Sequence, residues 1–154
     1  MKAKEIMARE IVYLHPQDEL RRAYQLMLDN QCRHIPVLED KVLVGMLSDR
    51  DILRNATLNE DGTLNVPALA LKDVMTTSLK TCTPKATISQ IAEHMLSYGI
   101  DAVPILKEDK LVGLITSTDI IEYTASTDDG DDFPIEFDIY SLGEYEMMRE
   151  ENQK

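Results

Sequence analysis

Shifted by 68 positions, the first half of this sequence lies on the second. Met7 falls on Met75, Pro16 on Pro84, Met27 on Met95, Pro36 on Pro104, Gly45 on Gly113 and Asp51 on Asp119, with no gap needed from Met7 to Leu53. Self-similarity that holds prolines, a glycine and an aspartate in one register marks two copies of a single structural unit. One copy, about fifty residues, is too small to cover the apolar face of its own sheet. The two are therefore expected to stack about a pseudo-twofold axis and bury that face against each other.

Both copies read alike. A short extended segment comes first, Glu10 to Leu14 and then Ser78 to Cys82. Next, Leu20, Ala23, Tyr24, Met27 and Leu28 recur at the spacing of a helix burying one face, and Ile88, Ile91, Ala92, Met95 and Leu96 repeat that stripe. Its methionines are read as core filling. Thr87 with Gln90 supplies a capping box for the second of these helices, and Gly99 suits its C-terminal stop. Two apolar runs follow in each copy, Ile35 to Leu38 with Val42 to Leu47, and Val103 to Leu106 with Leu111 to Ile115, separated by charged turns. They read as hairpin strands, with Pro36 and Pro104 at a strand's start, where no ladder donor is lost. A last helix opens at Ser48 or Thr116. The unit is β-α-β-β-α, and the fold class is α/β (α+β). The expected divisions are a first repeat over 1–54, a linker over 55–71, a second repeat over 72–124 and an acidic C-terminal extension over 125–154. In the linker, Asn59 to Gly62 reads as a turn and Val66 to Leu71 as a short helix or strand packing back on the body.

Composition narrows the partners. An apolar fraction of 44% excludes disorder throughout. No run approaches the roughly 18 apolar residues of a membrane helix, and Met1 to Glu5 form no apolar signal segment, so the chain is expected to be cytoplasmic with no membrane partner. The net charge of −12 argues against nucleic acid, whose phosphates demand a basic surface. Cys32 and Cys82 make no C-x-x-C and are read as reduced, packed thiols. His15, His34 and His94 show no ligand spacing, so no metal site is expected.

Polar chemistry concentrates at two corners, Gly45-Met46-Leu47-Ser48-Asp49-Arg50-Asp51 and Gly113-Leu114-Ile115-Thr116-Ser117-Thr118-Asp119. Ser/Thr-x-x-Asp caps a helix, the hydroxyl bonding an amide of the first turn. The same carboxylate has enough lone pairs to take both hydroxyls of a ribose, so capping and sugar binding are compatible.

Taken together, the two copies resemble CBS domains and the tandem resembles a Bateman module. The resemblance rests on Met75-Thr76, Pro84, Val103-Pro104-Ile105, Gly113 and Thr116-x-x-Asp119, with the parallel set in copy one, over about Lys4 to Arg54 and Lys72 to Tyr123. A chain carrying only such a module is similar to the small CBS proteins of acetoin utilisation. The resemblance implies two clefts that bind AMP, ADP, ATP or S-adenosylmethionine as regulatory ligand, with no catalytic cofactor. It also implies that modules pair into a flat, disc-like homodimer.

Carried over residue by residue, the resemblance implies that Ser48 with Asp51 holds the ribose in one cleft and Thr116 with Asp119 in the other. Each cleft would take its base-facing wall from the start of the opposite copy: Thr77, Ser78 and Leu79 for the Asp51 cleft, Arg9, Glu10 and Ile11 for the Asp119 cleft. The family often shows Met-Thr at the repeat start, whereas Met7 is followed by Ala8, which removes a hydroxyl from the Asp119 cleft. By the same resemblance, residues just before the proline-containing strand face phosphates. Copy one has Arg33-His34 there and Arg50 beside its aspartate, where copy two has Asp101-Ala102 and Thr118. The Asp51 cleft is accordingly expected to take the phosphorylated nucleotide, and the Asp119 cleft to be empty, weak or suited to a ligand of little negative charge.

The charge is uneven. From Ala125 to Lys154 ten acidic residues stand against Arg149 and Lys154, a net of −8 out of the chain's −12. Asp128 to Asp132 fails the EF-hand pattern and reads as a solvated linker. Ile135, Phe137 and Ile139 alternate like a strand edge, and Ser141 with Glu144 offers a capping box for a helix through Met147 and Met148. This segment is expected to dock on its own module, a dimer mate or a target protein. Three function classes remain in view: a regulatory module that senses an adenine nucleotide and acts on a protein target, a dimeric interaction protein with vestigial clefts, and an enzyme. The last is disfavoured, because the sequence offers no nucleophile-base pair, metal cluster or phosphate-cradling glycine loop.

Overall fold

Two short antiparallel hairpins organise the chain. The structure, a computed structural model, describes residues 1–127 and 141–153. In chain order its elements are α1 (Ala3–Ile6), α2 (Leu20–Asn30), β1 (His34–Glu39), β2 (Val42–Ser48), α3 (Asp49–Asn55), β3 (Thr57–Leu58) and β4 (Leu64–Asn65). A 3-10 turn (Leu71–Asp73) leads into α4 (Ile88–Tyr98), β5 (Ala102–Lys107), β6 (Lys110–Thr116), α5 (Ser117–Thr127) and α6 (Leu142–Asn152). β1 pairs with β2 so that His34 lies opposite Ser48, and β5 pairs with β6 so that Ala102 lies opposite Thr116. The hairpin turns are tighter than the charged runs suggest. Only Asp40-Lys41 and Glu108-Asp109 lie outside the ladders, all four at positive φ, which matches the twist of the strands.

Two expectations about the strands are corrected. Pro36 and Pro104 stand third in their strands, not at the start. Pro36 accepts from the Leu14 N–H and Leu38 donates to the Leu14 carbonyl, so at these positions the backbone of β1 faces away from β2 and no β1–β2 bond is lost. The leading segments Glu10–Leu14 and Ser78–Cys82 do not form strands. Each contributes one parallel bridge, Leu14 to Val37 and Cys82 to Ile105, and the rest of each is irregular, with a bend at Glu10 and at Ser78.

The repeats exchange their beginnings. The Ala3 N–H bonds the Ala86 carbonyl at 2.8 Å, and Ala3 is fully buried in the core of the second repeat with Ile88, Ile91, Val103 and Ile115. Reciprocally, the Leu71 N–H bonds the Asp18 carbonyl at 2.9 Å, and Leu71 is fully buried in the first core with Leu20, Ile35, Leu47 and Ile52. The chain then crosses the outer edge of the other copy's hairpin: Ala8 bridges Leu114 and Thr76 bridges Met46, each by a reciprocal pair of backbone bonds. Each hairpin is thereby covered along both edges, which removes the liability of open strands. β2 and β6 also pack against each other, joining the two halves.

Helix stripes set the cores, with a limit. Leu20, Ala23 and Met27 are buried on α2, and Ile88, Ile91 and Met95 on α4. Leu28 and Leu96, read as members of the stripes, are 54% and 85% exposed: they sit past the edge of the buried face. Thr87 and Gln90 form the expected capping box, and Gly99 stops α4 at φ +61. In the linker, β3 and β4 pair across the expected Asn59–Gly62 turn. Val66 and Leu71 pack into the first core, but Val66 to Leu69 is neither helix nor strand. Pro67 explains this, since it has no N–H and biases Val66 to an extended backbone. At the C-terminal end Ser141 and Glu144 make the expected box on α6. Asp128–Asp132, Ile135, Phe137 and Ile139 lie outside the described residues. No helix among the described residues is long and apolar enough to cross a membrane.

Gly45 and Gly113 are fixed by the exchange. A Cβ on Gly113 would overlap the Met7 sulfur and stand 2.7 Å from Met7 Cγ and 3.0 Å from its Cβ; one on Gly45 would overlap the Met75 sulfur and stand 2.9 Å from its Cγ. Gly113→Ala is expected to cost about 1–3 kcal/mol in urea unfolding. Gly45→Ala should cost less, because the atoms it meets lie further out on a flexible side chain. Equal, negligible costs would show that the exchanged methionines are not tightly seated.

Candidate functional site

The corners that cap α3 and α5 are built almost identically. Asp51 Oδ2 accepts the Ser48 N–H at 2.8 Å and the Ser48 hydroxyl at 3.1 Å, while the Asp51 N–H donates to Ser48 Oγ at 3.4 Å. Asp119 Oδ2 takes the Thr116 N–H at 2.7 Å and hydroxyl at 2.9 Å, with the return bond at 3.3 Å. In both, the cap uses one carboxylate oxygen and leaves Oδ1 outside it. Asp51, 9% exposed, is the one buried charged residue among those described, and Asp119 is half-buried. The second oxygens differ: Arg54 Nη1 stands 3.9 Å from Asp51 Oδ1, where the repeat puts Glu122 beside Asp119.

Each carboxylate opens onto a cavity between the repeats. The Asp51 cavity, about 230 Å³, is walled by Met46, Ser48 and Arg50 from its own copy and by Thr76, Ser78, Leu79 and Lys80 from the start of the other. The Asp119 cavity, about 410 Å³, is walled by Leu114, Thr116 and Thr118 and by Ala8, Glu10, Ile11 and Val12. These lists correspond under the 68-residue shift, so the sequence's own symmetry generates both. Two expected wall residues are corrected. Thr77 does not line the Asp51 cavity, and Arg9 does not line the Asp119 cavity, because its guanidinium turns back to the Lys4 carbonyl at 2.9 Å. The Thr76 hydroxyl side chain and its counterpart Ala8 do line their respective cavities, so the missing hydroxyl falls on the Asp119 side.

The residues before β1 and β5 cross over as well. Sequence reasoning kept Arg33 with its own aspartate. It lies instead in the Asp119 cavity, with Nη2 3.4 Å from Thr118 Oγ1. Asp101 correspondingly lies in the Asp51 cavity, 3.4 Å from Arg50 Nη2. These two contacts are one contact seen twice, since Arg50 matches Thr118 and Asp101 matches Arg33. The expectation that Arg33 serves the Asp51 cleft therefore fails. No local pattern in the sequence signals this crossing. Lys80 and Gln31, which also line the cavities, were missed for the same reason.

His34 lines both cavities. Burial pushes its pKa below the ordinary value; Asp49 and Asp101 oppose that shift, and Arg33 and Arg50 add to it. Burial also raises the thiol of Cys32, in the Asp119 cavity, and that of Cys82, and both cysteines are free. Among the described residues no cluster of His, Cys, Asp or Glu could hold a metal ion.

The model of the CBS domain matches residues 3–57 and again 71–126. The chain is 31% identical over 118 residues to the CBS domain-containing protein YhcV of Bacillus subtilis, covering 76% of this chain and 81% of that one. It is 29% identical over 120 residues to the inosine-5'-monophosphate dehydrogenase of Korarchaeum cryptofilum, covering 77% of this chain but 23% of the dehydrogenase. Among solved structures, the CBS domain pair of MJ0100, in complex with 5'-methylthioadenosine and S-adenosyl-L-methionine, superposes with TM-score 0.72 at 21% identity, over 83% of this chain and 98% of that one. The Vibrio cholerae protein AcuB, described as an acetoin utilization protein, gives 0.70 at 28% identity over 82% and 91%. CBSX2 in complex with AMP gives 0.69 at 20% identity over 81% and 96%.

The cap makes a prediction that needs no ligand. Ser48→Ala is expected to lower stability by about 1 kcal/mol in urea unfolding with the slope unchanged. A loss near zero would mean that the hydroxyl is not a working cap in the empty protein.

Proposed function

The chain belongs to the CBS domain family, and on that premise we propose that it is a regulatory module sensing an adenine nucleotide, AMP, ADP or ATP, in the clefts between its repeats. The observation that carries this reading is the divided carboxylate at each corner. One oxygen is spent on the cap, and the other is left for the hydroxyls of a ribose in a cavity walled by both repeats. Ser48 and Thr116 would fix the sugar, with Ser78 and Leu79 facing the base in one cleft and Glu10 and Ile11 in the other. Phosphates would meet Arg50, Arg54 and Lys80 on the Asp51 side and Arg33 on the Asp119 side, with His34 beside both. Three cations balance Asp49, Asp51 and Asp101 on the Asp51 side, whereas Arg33 faces both Glu10 and Asp119 on the other, so the less negative Asp51 cleft is the first to fill. Its Arg50 must there exchange Asp101 for the ligand, an exposed pair of small worth.

S-adenosylmethionine is the second reading. It is favoured by the larger Asp119 cavity, whose walls carry Glu10 and Asp119 against Arg33 alone, and by the ligand of the MJ0100 pair. In either case the module is non-catalytic and cytoplasmic. Burial keeps Cys32, the one thiol on a cavity wall, protonated and a weak nucleophile. A ligand acts by differing affinity for two arrangements of the module, and a protein target reads the difference.

Pairing into a homodimer is supported by the exposed apolar residues left over from the helix faces. Leu28 and Leu53 in the first repeat, 54% and 58% exposed, match Leu96 and Ile121 in the second, at 85% and 66%. A second copy would cover them. Leu96→Asp is expected to convert a dimer to a monomer in light scattering while the fold is retained; a wild-type monomer would refute the pairing.

Calorimetric titration with AMP, ADP, ATP and S-adenosylmethionine tests the sensor reading. Binding of one of them is expected, and Asp51→Asn should weaken it roughly tenfold or more by removing a charge-assisted contact. This variant keeps an acceptor for the cap. Absence of heat with all four, on a folded dimer, would favour an interaction protein with vestigial clefts.

A further inference from the structure

His34 has no counterpart in the other repeat. The 68-residue shift puts Ala102 in its place, so the pseudo-twofold arrangement holds one imidazole where symmetry would supply two or none. That one residue lines the Asp51 cavity and the Asp119 cavity alike. It stands on β1 opposite Ser48. The charged groups acting on it come from every side: Asp49 and Arg50 from α3, Asp101 from the segment before β5, and Arg33 from its own strand's approach. Asp51 and Asp119 complete the polar lining of the cavities it faces.

We propose that His34 is shared by the two clefts, so that filling both with phosphorylated ligand is tied to proton uptake at this single imidazole. The inference rests on the nucleotide reading above. A neutral imidazole has one N–H donor and can serve an anion on one side only, whereas the imidazolium has two. With the clefts empty, burial favours the neutral ring. A first phosphorylated ligand finds a donor in that ring. A second makes the doubly donating imidazolium the better state, and the added negative charge raises the pKa. Binding that raises a pKa gains affinity as pH falls through the bound-state value and gains nothing further below the free-state value. Each ligand then promotes the other through one proton, a reciprocal coupling of the two sites.

The test follows the ring directly. The imidazole signals of His15, His34 and His94 would be titrated by NMR in the free protein and with saturating AMP, and AMP binding measured by calorimetry at about pH 6 and about pH 8. The pKa of His34 alone is expected to rise by about one unit, and the second site to bind roughly fivefold more tightly at the lower pH, since a one-unit shift gives about tenfold only well below the free-state value. Since the AMP phosphate titrates in the same range, His34→Asn provides the reference and should lose the added pH dependence. Two filled sites with His34 unmoved would overturn the proposal, as would saturation at one site or an unchanged pH dependence in His34→Asn. A protein that takes up no AMP at any pH would refute the nucleotide reading itself, and this inference would fall with it.

Discussion

Ala3 completes the core of the second repeat and Leu71 that of the first, and most of the other features of the molecule depend on this exchange. A unit of this size cannot close its own core, and each copy here supplies the piece that the other lacks. The same crossing seats Met7 over Gly113 and Met75 over Gly45, and covers the hairpin edges through Ala8 and Thr76. It also brings the chain that follows, Glu10 to Val12 or Ser78 to Lys80, against the other copy's carboxylate. The clefts are thus by-products of how the cores are completed: neither exists until both repeats have folded together.

The corners show how little a fold must alter to acquire a binding site. Ser48 and Asp51 already hold the first turn of α3, and Thr116 and Asp119 that of α5. Such a cap contributes about 1 kcal/mol, leaves a carboxylate oxygen over, and keeps the group oriented before any ligand arrives. Orientation secured by folding need not be supplied at the expense of binding energy.

Backbone symmetry and side-chain asymmetry do separate jobs. The hairpins, bridges and aspartate corners repeat closely, so the shapes of the clefts are related. Charge is what distinguishes them. One inter-repeat contact appears as Arg50 with Asp101 on one side and Thr118 with Arg33 on the other, and His34 has only Ala102 as its match. Two equivalent frames can in this way respond differently to one ligand, with the central imidazole placed to report between them.

The repeat, the helix stripes, the hairpins, the caps at Ser48, Thr87, Thr116 and Ser141, and the two aspartate corners were all legible in the sequence. Each rests on interactions within a few residues or on a period that burial imposes. Less legible were the fine limits of burial: Leu28 and Leu96 fit their stripes but escape the core, because the width of a buried face depends on what packs against it. The same holds for the leading segments, which have strand-like spacing yet find a partner only at Leu14 and Cys82. Arg9 and Thr77 line neither cavity, Arg9 because it turns back to the Lys4 carbonyl, whereas Arg33 and Asp101 were assigned to the wrong cleft. Which cleft a side chain enters is decided by how the two repeats cross, and no local pattern carries that information. Sequence alone determined two copies of one unit and the groups at each corner, since these follow from periodicity and from hydrogen bonds between near neighbours. Only the tertiary structure decided which copy's residues face which carboxylate and set His34 between both clefts, because contacts across a pseudo-twofold axis join residues far apart in the chain.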